Sequence, residues 1–255
     1  MKKNIIIFDV DGTLVESSHK ISKENAEILN QLKDKYEIAV CGGGKLEKIL
    51  EQMNGLVKFD HYFSECGCVY DKHIVDGEYD RIENIYKKNI RKHNLYEKIN
   101  KLVKVCLSYF SKVDYILTGH FIDLRCGIIY ISCIGMQATE EERNYFKNLN
   151  KDDIFRRELL VLLQQKAIEL NIENDVSITY GGTVGIAIYP REYDKVQILE
   201  TIQHDKYDKY DKIIYFGDKY EENGNDYHII NSPYVIGHKV DNVVDTYNLL
   251  KTKYL

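Results

Sequence analysis

The chain has no apolar run approaching the roughly 18 to 20 residues of a membrane-spanning helix. Its opening residues carry no secretory leader pattern, because Asp9 and Asp11 interrupt the first hydrophobic stretch. Positive charge is not in excess either: the formal net charge is −5, and Lys and Arg are scattered among acids. That excludes a nucleic-acid or anionic-membrane footprint, so phosphate must be bound by a few local groups. Cysteine is scarce. Six in 255 residues make no disulfide scaffold, and Cys41, Cys106, Cys126 and Cys133 lie in apolar segments where buried thiols are common. His61, Cys66, Cys68 and His73 match no common zinc spacing, and internal repeats are missing. What is present, 44% hydrophobic residues in a chain long enough for one large domain or two smaller ones, fits a cytoplasmic enzyme.

The most informative stretch is Asn4-Ile5-Ile6-Ile7-Phe8-Asp9-Val10-Asp11-Gly12-Thr13-Leu14. An apolar strand that empties into Asp-x-Asp is expected to place two carboxylates on one side of the backbone, since alternate residues of an extended chain point the same way. They would sit past the strand's C-terminal end, where open α/β sheets bind ligands. Two anions so close repel unless a cation separates them, and oxygen-only ligands suit Mg²⁺. The pattern points to metal-assisted phosphoryl transfer.

Ser22 opens a helical pattern with Ala26, Leu29 and Leu32 on one face. A strand over Glu37 to Cys41, the run Gly42-Gly43-Gly44-Lys45 and a helix over Leu46 to Met53 follow. This βαβα order predicts a parallel sheet with helices on its faces. The glycine run lacks the first glycine and the hydroxyl after lysine that a nucleotide phosphate loop needs. From about Ile82 to Ile188 the character changes: helices around Ile85 to Phe110 and Glu140 to Leu170 surround extended pieces at 121–124, 128–134, 176–180 and 184–189, which predicts an α+β unit. The parallel pattern resumes with strands at Lys212 to Phe216 and Tyr234 to Gly237. The domains are therefore expected to be 1–82 with 189–255 as a Rossmann-like α/β core, and 83–188 as an insertion.

Asp9-Val10-Asp11-Gly12-Thr13, Lys195, Gly217-Asp218-Lys219 and Gly224-Asn225-Asp226 resemble the signature motifs of the haloacid dehalogenase superfamily. Within it, Phe121-Ile122-Asp123-Leu124-Arg125, Ile134-Gly135, Glu141-Glu142-Arg143, Gly181-Gly182 and Asp194-Lys195 resemble the eukaryotic-type phosphomannomutases. The resemblance spans nearly the whole chain and implies a core carrying a type IIB-like α+β cap that closes over it. It implies Asp9 as nucleophile, Asp11 as general acid and base, and Lys195 as a fixed cation beside the phosphoryl oxygens. Mg²⁺ would be held by Asp9, Asp218 and the backbone carbonyl at Asp11, with Asn225 and Asp226 supporting the metal and Lys195. Gly43 and Gly44, with Arg125 and Arg143 of the cap, would bind the substrate's phosphates; an alternative makes Arg143 a helix-surface residue paired with Glu140.

The resemblance further implies a small phosphorylated hexose as substrate, a hexose 1,6-bisphosphate activator and a homodimer formed through the cap. Several family positions differ here. Ser18 and Met136 stand where the phosphomannomutases have arginines, Gly185-Ile186-Ala187 replaces a Ser-x-Asp, Gly44-Lys45 replaces a serine and an aspartate, and Ser232 replaces an acidic residue. Three readings follow: a mutase interconverting mannose 6-phosphate and mannose 1-phosphate, a sugar-phosphate phosphatase of the same superfamily, and a non-catalytic phosphosugar binder.

Overall fold

The computed structural model describes residues 4–17, 19–182, 184–204, 210–222 and 224–255. It divides into two compact units, Met1–Lys88 with Tyr193–Leu255, and Asn89–Glu192. The first unit opens with β1 (Asn4–Phe8), α1 (Lys23–Leu32), β2 (Glu37–Cys41), α2 (Leu46–Met53) and β3 (His61–Ser64). A hairpin of β4 (Val69–Asp76) and β5 (Tyr79–Lys87) ends this part. The second unit holds α3 (Tyr96–Phe110), β6 (Ile122–Leu124), β7 (Ile129–Ser132), α4 (Glu140–Leu149), α5 (Ile154–Glu169), β8 (Val176–Gly181) and β9 (Gly185–Pro190). The first unit then resumes with α6 (Ile198–His204), β10 (Lys212–Gly217), α7 (Tyr227–Ile230), β11 (Ile236–Lys239) and α8 (Val243–Lys253).

Seven strands of the first unit form one sheet in the order β11-β10-β1-β2-β3-β4-β5. The first five run parallel, while β4 and β5 are antiparallel additions. The central strands read as unbroken apolar runs because both faces are covered. Ile6 and Phe8 of β1, Ile38 and Val40 of β2, and Ile214 and Phe216 of β10 pack into one core with Leu29 of α1, Ile49 of α2 and Leu250 of α8. Their neighbours Ile5, Ile7, Ala39, Cys41, Ile213 and Tyr215 enter the opposite core with Ile198 of α6 and Ile229 of α7. The serine expected to start α1 does so: the Ser22 hydroxyl accepts a hydrogen bond from the Asn25 backbone N–H at 3.1 Å.

The helix expected from Ile85 begins only at Tyr96. Ile82, Ile85 and Tyr86 have helical spacing, but 79–87 is a strand whose ladder to β4 runs from Val69 opposite Lys87 to Asp76 opposite Tyr79. Pairing with a partner nearby in sequence overrides a weak local period. The chain leaves the first unit after β5 and re-enters it after β9, a few residues beyond 82 and 188.

In the second unit an antiparallel sheet, β6-β7-β9-β8, carries Ile129, Ile131, Ile186 and Ile188 as buried apolar positions. α3 and α5 pack together and bury Leu102, Cys106, Phe110, Leu159 and Leu163. α4 starts at a reciprocal cap, the Thr139 hydroxyl accepting from the Glu142 N–H and the Glu142 carboxylate from the Thr139 N–H. No helix among the described residues is long and apolar enough to cross a membrane.

Candidate active site

The C-terminal ends of β1, β2 and β10 present Asp9, Gly42-Gly43-Gly44 and Asp218. Asp9 continues the ladder by one bond, its N–H donating to the Phe216 carbonyl at 2.9 Å. Its carboxylate meets Lys195, which reaches in from a short turn at Lys195–Gln197. The Lys195 ammonium donates to Asp9 Oδ1 at 2.5 Å and to Asp226 Oδ1 at 2.7 Å, and its side chain is completely buried. Asp226 is also held by the Tyr215 hydroxyl at 2.6 Å and the Lys219 N–H at 3.0 Å. The turn that aims Lys195 is fixed in its own right: Asp194 accepts from the Lys195 N–H and pairs with His228 Nδ1 at 2.8 Å, while Gln197 donates to the Cys66 carbonyl at 2.8 Å.

Burial opposes charge on all these groups, and they compensate one another. It pushes the Asp9 carboxyl well above the usual carboxylate range, Lys195 pulls it back, and the neighbouring Asp226 and Asp218 raise it again. Burial disfavours the Lys195 cation too, yet Asp226 and Asp9 carry its pKa well above the ordinary lysine value. Asp218 is likewise raised by burial despite its contact with Lys219. Asp9 and Asp226 thus share one fully buried cation, while Asp218 pairs with the more exposed Lys219.

Asp9, Asp218 and Asp226 each bring an oxygen into a group whose members lie within 4.8 Å of one another. Asp226 spends its oxygens on Lys195, Tyr215 and Lys219, which leaves Asp9 and Asp218 as the side chains suited to a cation. Asp218 Oδ1 and Asn225 Oδ1 are buried and accept no hydrogen bond among the described residues. Unpaired buried oxygens beside a surplus of negative charge fit a hard divalent ion. Gly12 is needed for this approach: its φ is +91°, and a Cβ there would stand 2.4 Å from Asp218 Oδ2.

Asp11 does not join them. Its carboxylate accepts from Lys48 at 2.6 Å and from Gln52 at 2.8 Å, both on α2. The expected common direction of Asp9 and Asp11 fails because β1 ends at Phe8. Beyond it the chain coils around the Val10 carbonyl, which accepts from Thr13, Leu14 and Val15, so strand alternation no longer applies. Lys48 and Gln52 were legible only as helix positions four apart, a spacing that puts both on one face. Gly44 follows β2 and its carbonyl accepts from the Glu65 N–H at 2.9 Å. His61 bonds Tyr70 and pairs with Glu37, and His73 pairs with Asp80, so neither histidine joins a metal group among the described residues.

In the second unit Arg125 donates to Asp123 at 2.8 Å and lies over the Tyr130 ring, 4.8 Å from its centre. Arg143 donates to the carbonyls of Ala138 at 3.1 Å and Met136 at 3.4 Å. Tyr130 sits opposite Ala187 in the sheet and donates to the Gly181 carbonyl at 2.9 Å. Together with the Ile131 carbonyl it leaves room for nothing larger than glycine at 185, where a Cβ would stand 2.3 Å from its hydroxyl and 2.7 Å from that carbonyl. That tyrosine was missed by sequence reasoning, since its contact depends on the register of β7 against β9. Ser232 accepts from the Tyr234 N–H at 3.4 Å, and Ser18 lies outside the described residues.

A family model described as eukaryotic phosphomannomutase matches residues 25–254. The phosphomannomutase of Drosophila melanogaster is 33% identical over 251 residues, covering 96% of this chain and 93% of that protein. That of Arabidopsis thaliana is 32% identical over 254 residues, covering 98% and 96%. Among solved structures, Plasmodium falciparum IMP-nucleotidase superposes with a TM-score of 0.70 at 15% identity, over 98% of this chain and 61% of that one. The C-terminal domain of C. albicans trehalose-6-phosphate phosphatase gives 0.55 at 18% identity, over 85% and 70%. At these identities the structural likenesses concern the fold.

Lys195→Met leaves two buried carboxylates without their cation and is expected to cost about 3 to 5 kcal/mol of stability, read from the midpoint of chemical denaturation. A midpoint unchanged from the parent would show the ion cluster to be dispensable. Mg²⁺ is expected to raise the melting temperature of the parent, and Asp218→Asn to remove most of that rise. An equal rise in both would exclude Asp218 as a ligand.

Proposed function

The chain belongs to the eukaryotic phosphomannomutase family, of the haloacid dehalogenase superfamily, and from that premise we propose that it moves a phosphoryl group between the 1- and 6-positions of a hexose through an aspartyl phosphate. The observation that carries this reading is the buried Lys195 bridging Asp9 and Asp226 at the ends of β1 and β10. In the first step an Asp9 oxygen bonds to phosphorus as the bond from phosphorus to the sugar oxygen breaks, and Asp11 gives that oxygen a proton. In the second, the hydroxyl at the other end of the sugar attacks phosphorus, Asp11 takes its proton, and the electron pair of the broken bond returns to Asp9. Lys195 holds Asp9 in line and balances its charge throughout. Asp9, Asp218 and the backbone carbonyl at Asp11 would hold Mg²⁺, which when bound screens negative charge on the transferring group. A hexose 1,6-bisphosphate would load Asp9 at the start, so that in turnover the second of these half-reactions comes first: the free hydroxyl of an incoming hexose monophosphate takes the phosphoryl group from Asp9 to give a bisphosphate, which turns over and returns its other phosphoryl group to Asp9.

Arg125 and Arg143 are the proposed phosphate contacts of the second unit. The same reading includes a homodimer formed through that unit, supported by Leu107 of α3 and Val161, Leu162 and Ile168 of α5, all exposed. It also includes a cytoplasmic setting, supported by the buried thiols of Cys41, Cys66, Cys106 and Cys133, none of which is in a disulfide among the described residues.

A phosphatase reading has one observation in its favour: Tyr130 fills the space beside Gly185, and Ala187 offers no polar atom for a sugar hydroxyl. Each lost contact of that kind lowers affinity by about tenfold to a hundredfold. Water would then resolve the aspartyl phosphate.

Incubation with Mg²⁺, a panel of hexose 1-phosphates and glucose 1,6-bisphosphate, following hexose 6-phosphate and inorganic phosphate together, separates the two. Isomer with little free phosphate is the expected result, and Asp9→Asn is expected to abolish it. A variant as active as the parent would refute the nucleophile. Gly185→Ser with Ala187→Asp is expected to leave kcat/KM for mannose 1-phosphate unimproved, because a Cβ at 185 would stand 2.3 Å from the Tyr130 hydroxyl and 2.7 Å from the Ile131 carbonyl. Improvement from the double change alone would show that the tyrosine does not occupy the substrate's place.

A further inference from the structure

His120 is an exposed residue just before β6, on a segment that pairs with the chain after β7. The Thr118 N–H donates to the Ile134 carbonyl at 2.7 Å and the Met136 N–H to the His120 carbonyl at 2.8 Å, which continues the contact of the two segments beyond the β6–β7 ladder. Met136 also gives its own carbonyl to Arg143 Nη2, so one backbone links His120 to Arg143. The Gln137 side chain closes on His120 twice. Its Oε1 accepts from the His120 backbone N–H at 2.8 Å, and its Nε2 lies 2.7 Å from the ring's Nδ1. A backbone N–H can only donate, so the amide oxygen must face it and the amide NH2 must face the ring. Nδ1 is then the acceptor, and a neutral imidazole with an accepting Nδ1 carries its proton on Nε2, on the side of the ring away from Gln137. Gly119 makes this grip possible: its φ is +65°, and a Cβ there would stand 1.8 Å from Gln137 Oε1. The bond to the backbone alone would shape the turn. The bond to the ring sets the tautomer and direction of a side chain that the turn does not need.

We propose that His120 donates from Nε2 to the phosphate held by Arg125 and Arg143, and that Gln137 is the positioning residue that keeps its ring in the donating tautomer. The inference rests on the reading of those two arginines as phosphate contacts given above. Each guanidinium already spends donors within the second unit: Arg125 gives Nε to Asp123, and Arg143 gives Nε and one Nη to carbonyls. Met136, which lies between His120 and Arg143 in this network, brings no donor from its side chain. An Nε2–H on the segment tied to Arg143 supplies one more donor to an anion whose oxygens accept several. A ring that is oriented beforehand also loses little freedom on meeting the phosphate, a loss that weakens the contacts of most exposed side chains.

The test reads the full-length protein, labelled with nitrogen-15 at histidine, by NMR at about pH 8.5, roughly two units above the ordinary imidazole pKa, with and without mannose 1-phosphate. The expected result is one tautomer for His120, with its proton on Nε2, and an Nε2 signal that moves when the ligand is added; His120→Ala assigns that signal by removing it. A proton on Nδ1, or an Nε2 signal indifferent to the ligand, overturns the proposal. Turnover of mannose 1-phosphate with Mg²⁺ and glucose 1,6-bisphosphate, read as isomer or as inorganic phosphate, is the second arm. His120→Ala is expected to raise KM about tenfold, the effect of losing one hydrogen bond to a charged group, with a smaller fall in kcat. Met136→Arg added to that variant is expected to bring KM back toward the parent, which a merely structural role for the ring would not produce. Gln137→Leu is expected to mix the two tautomers and to raise KM less than His120→Ala does. A parent that turns over while His120→Ala keeps its KM overturns the His120 contact alone. A parent that yields neither product overturns the phosphotransfer reading and the contact with it.

Discussion

Lys195 has no contact with solvent, and taking an ammonium out of water costs several kcal/mol unless its partners are close and well placed. The partners are Asp9 and Asp226, one at the end of the first strand and the other beyond β10, so the cluster ties together residues 186 positions apart in sequence. Tyr215 and the Lys219 N–H satisfy the remaining oxygens of Asp226, and the turn behind Lys195 is pinned by Asp194, His228 and Gln197. Removing any of these members leaves a buried charge short of compensation. This interdependence explains how a chain can carry a unit of about a hundred residues between its two halves and still close its central sheet. The electrostatic requirement is met only when both halves are in register.

The same arithmetic of charge makes a cation site at this edge of the sheet physically reasonable. Buried Lys195 and the more exposed Lys219 cannot fully neutralise three carboxylates, and Asp218 retains an oxygen without a donor among the described residues. The acid and base assigned to Asp11 lies on a different set of contacts, those of α2. Under the proposed function, chemistry at phosphorus and management of protons are thus supported by separate parts of the first unit, which lets each be adjusted on its own.

Much of the first unit was legible because local signals agreed with one another. The period of Ala26, Leu29 and Leu32, the cap at Ser22 and the apolar run of β1 all point to elements that form, and their order dictates a parallel sheet. Residues 85–87 were misread as the start of a helix because their spacing is ambiguous and their hairpin partner decides the outcome. In the site, the strand-end carboxylates were visible in the chain, but the direction of Asp11 was not: alternation holds only while the backbone is extended, and extension stops at Phe8. Lys195 has no physical signature in isolation, being one lysine among many, and was found through the motif around it. Tyr130 facing Gly185 is a property of strand register, which a single sequence does not reveal.

One consequence concerns how such a protein diversifies. The hydrogen bonds that secure Lys195, Asp9 and Asp226 begin and end within the first unit, while Tyr130, Gly185 and Ala187 belong to the sheet of the second. Drift in the latter need not disturb the electrostatics of the former. Under the proposed function, which ester is accepted can therefore be retailored by exchanging a bulky ring against a missing side chain, the arrangement that Tyr130 and Gly185 have here, without disturbing the buried charges of the first unit.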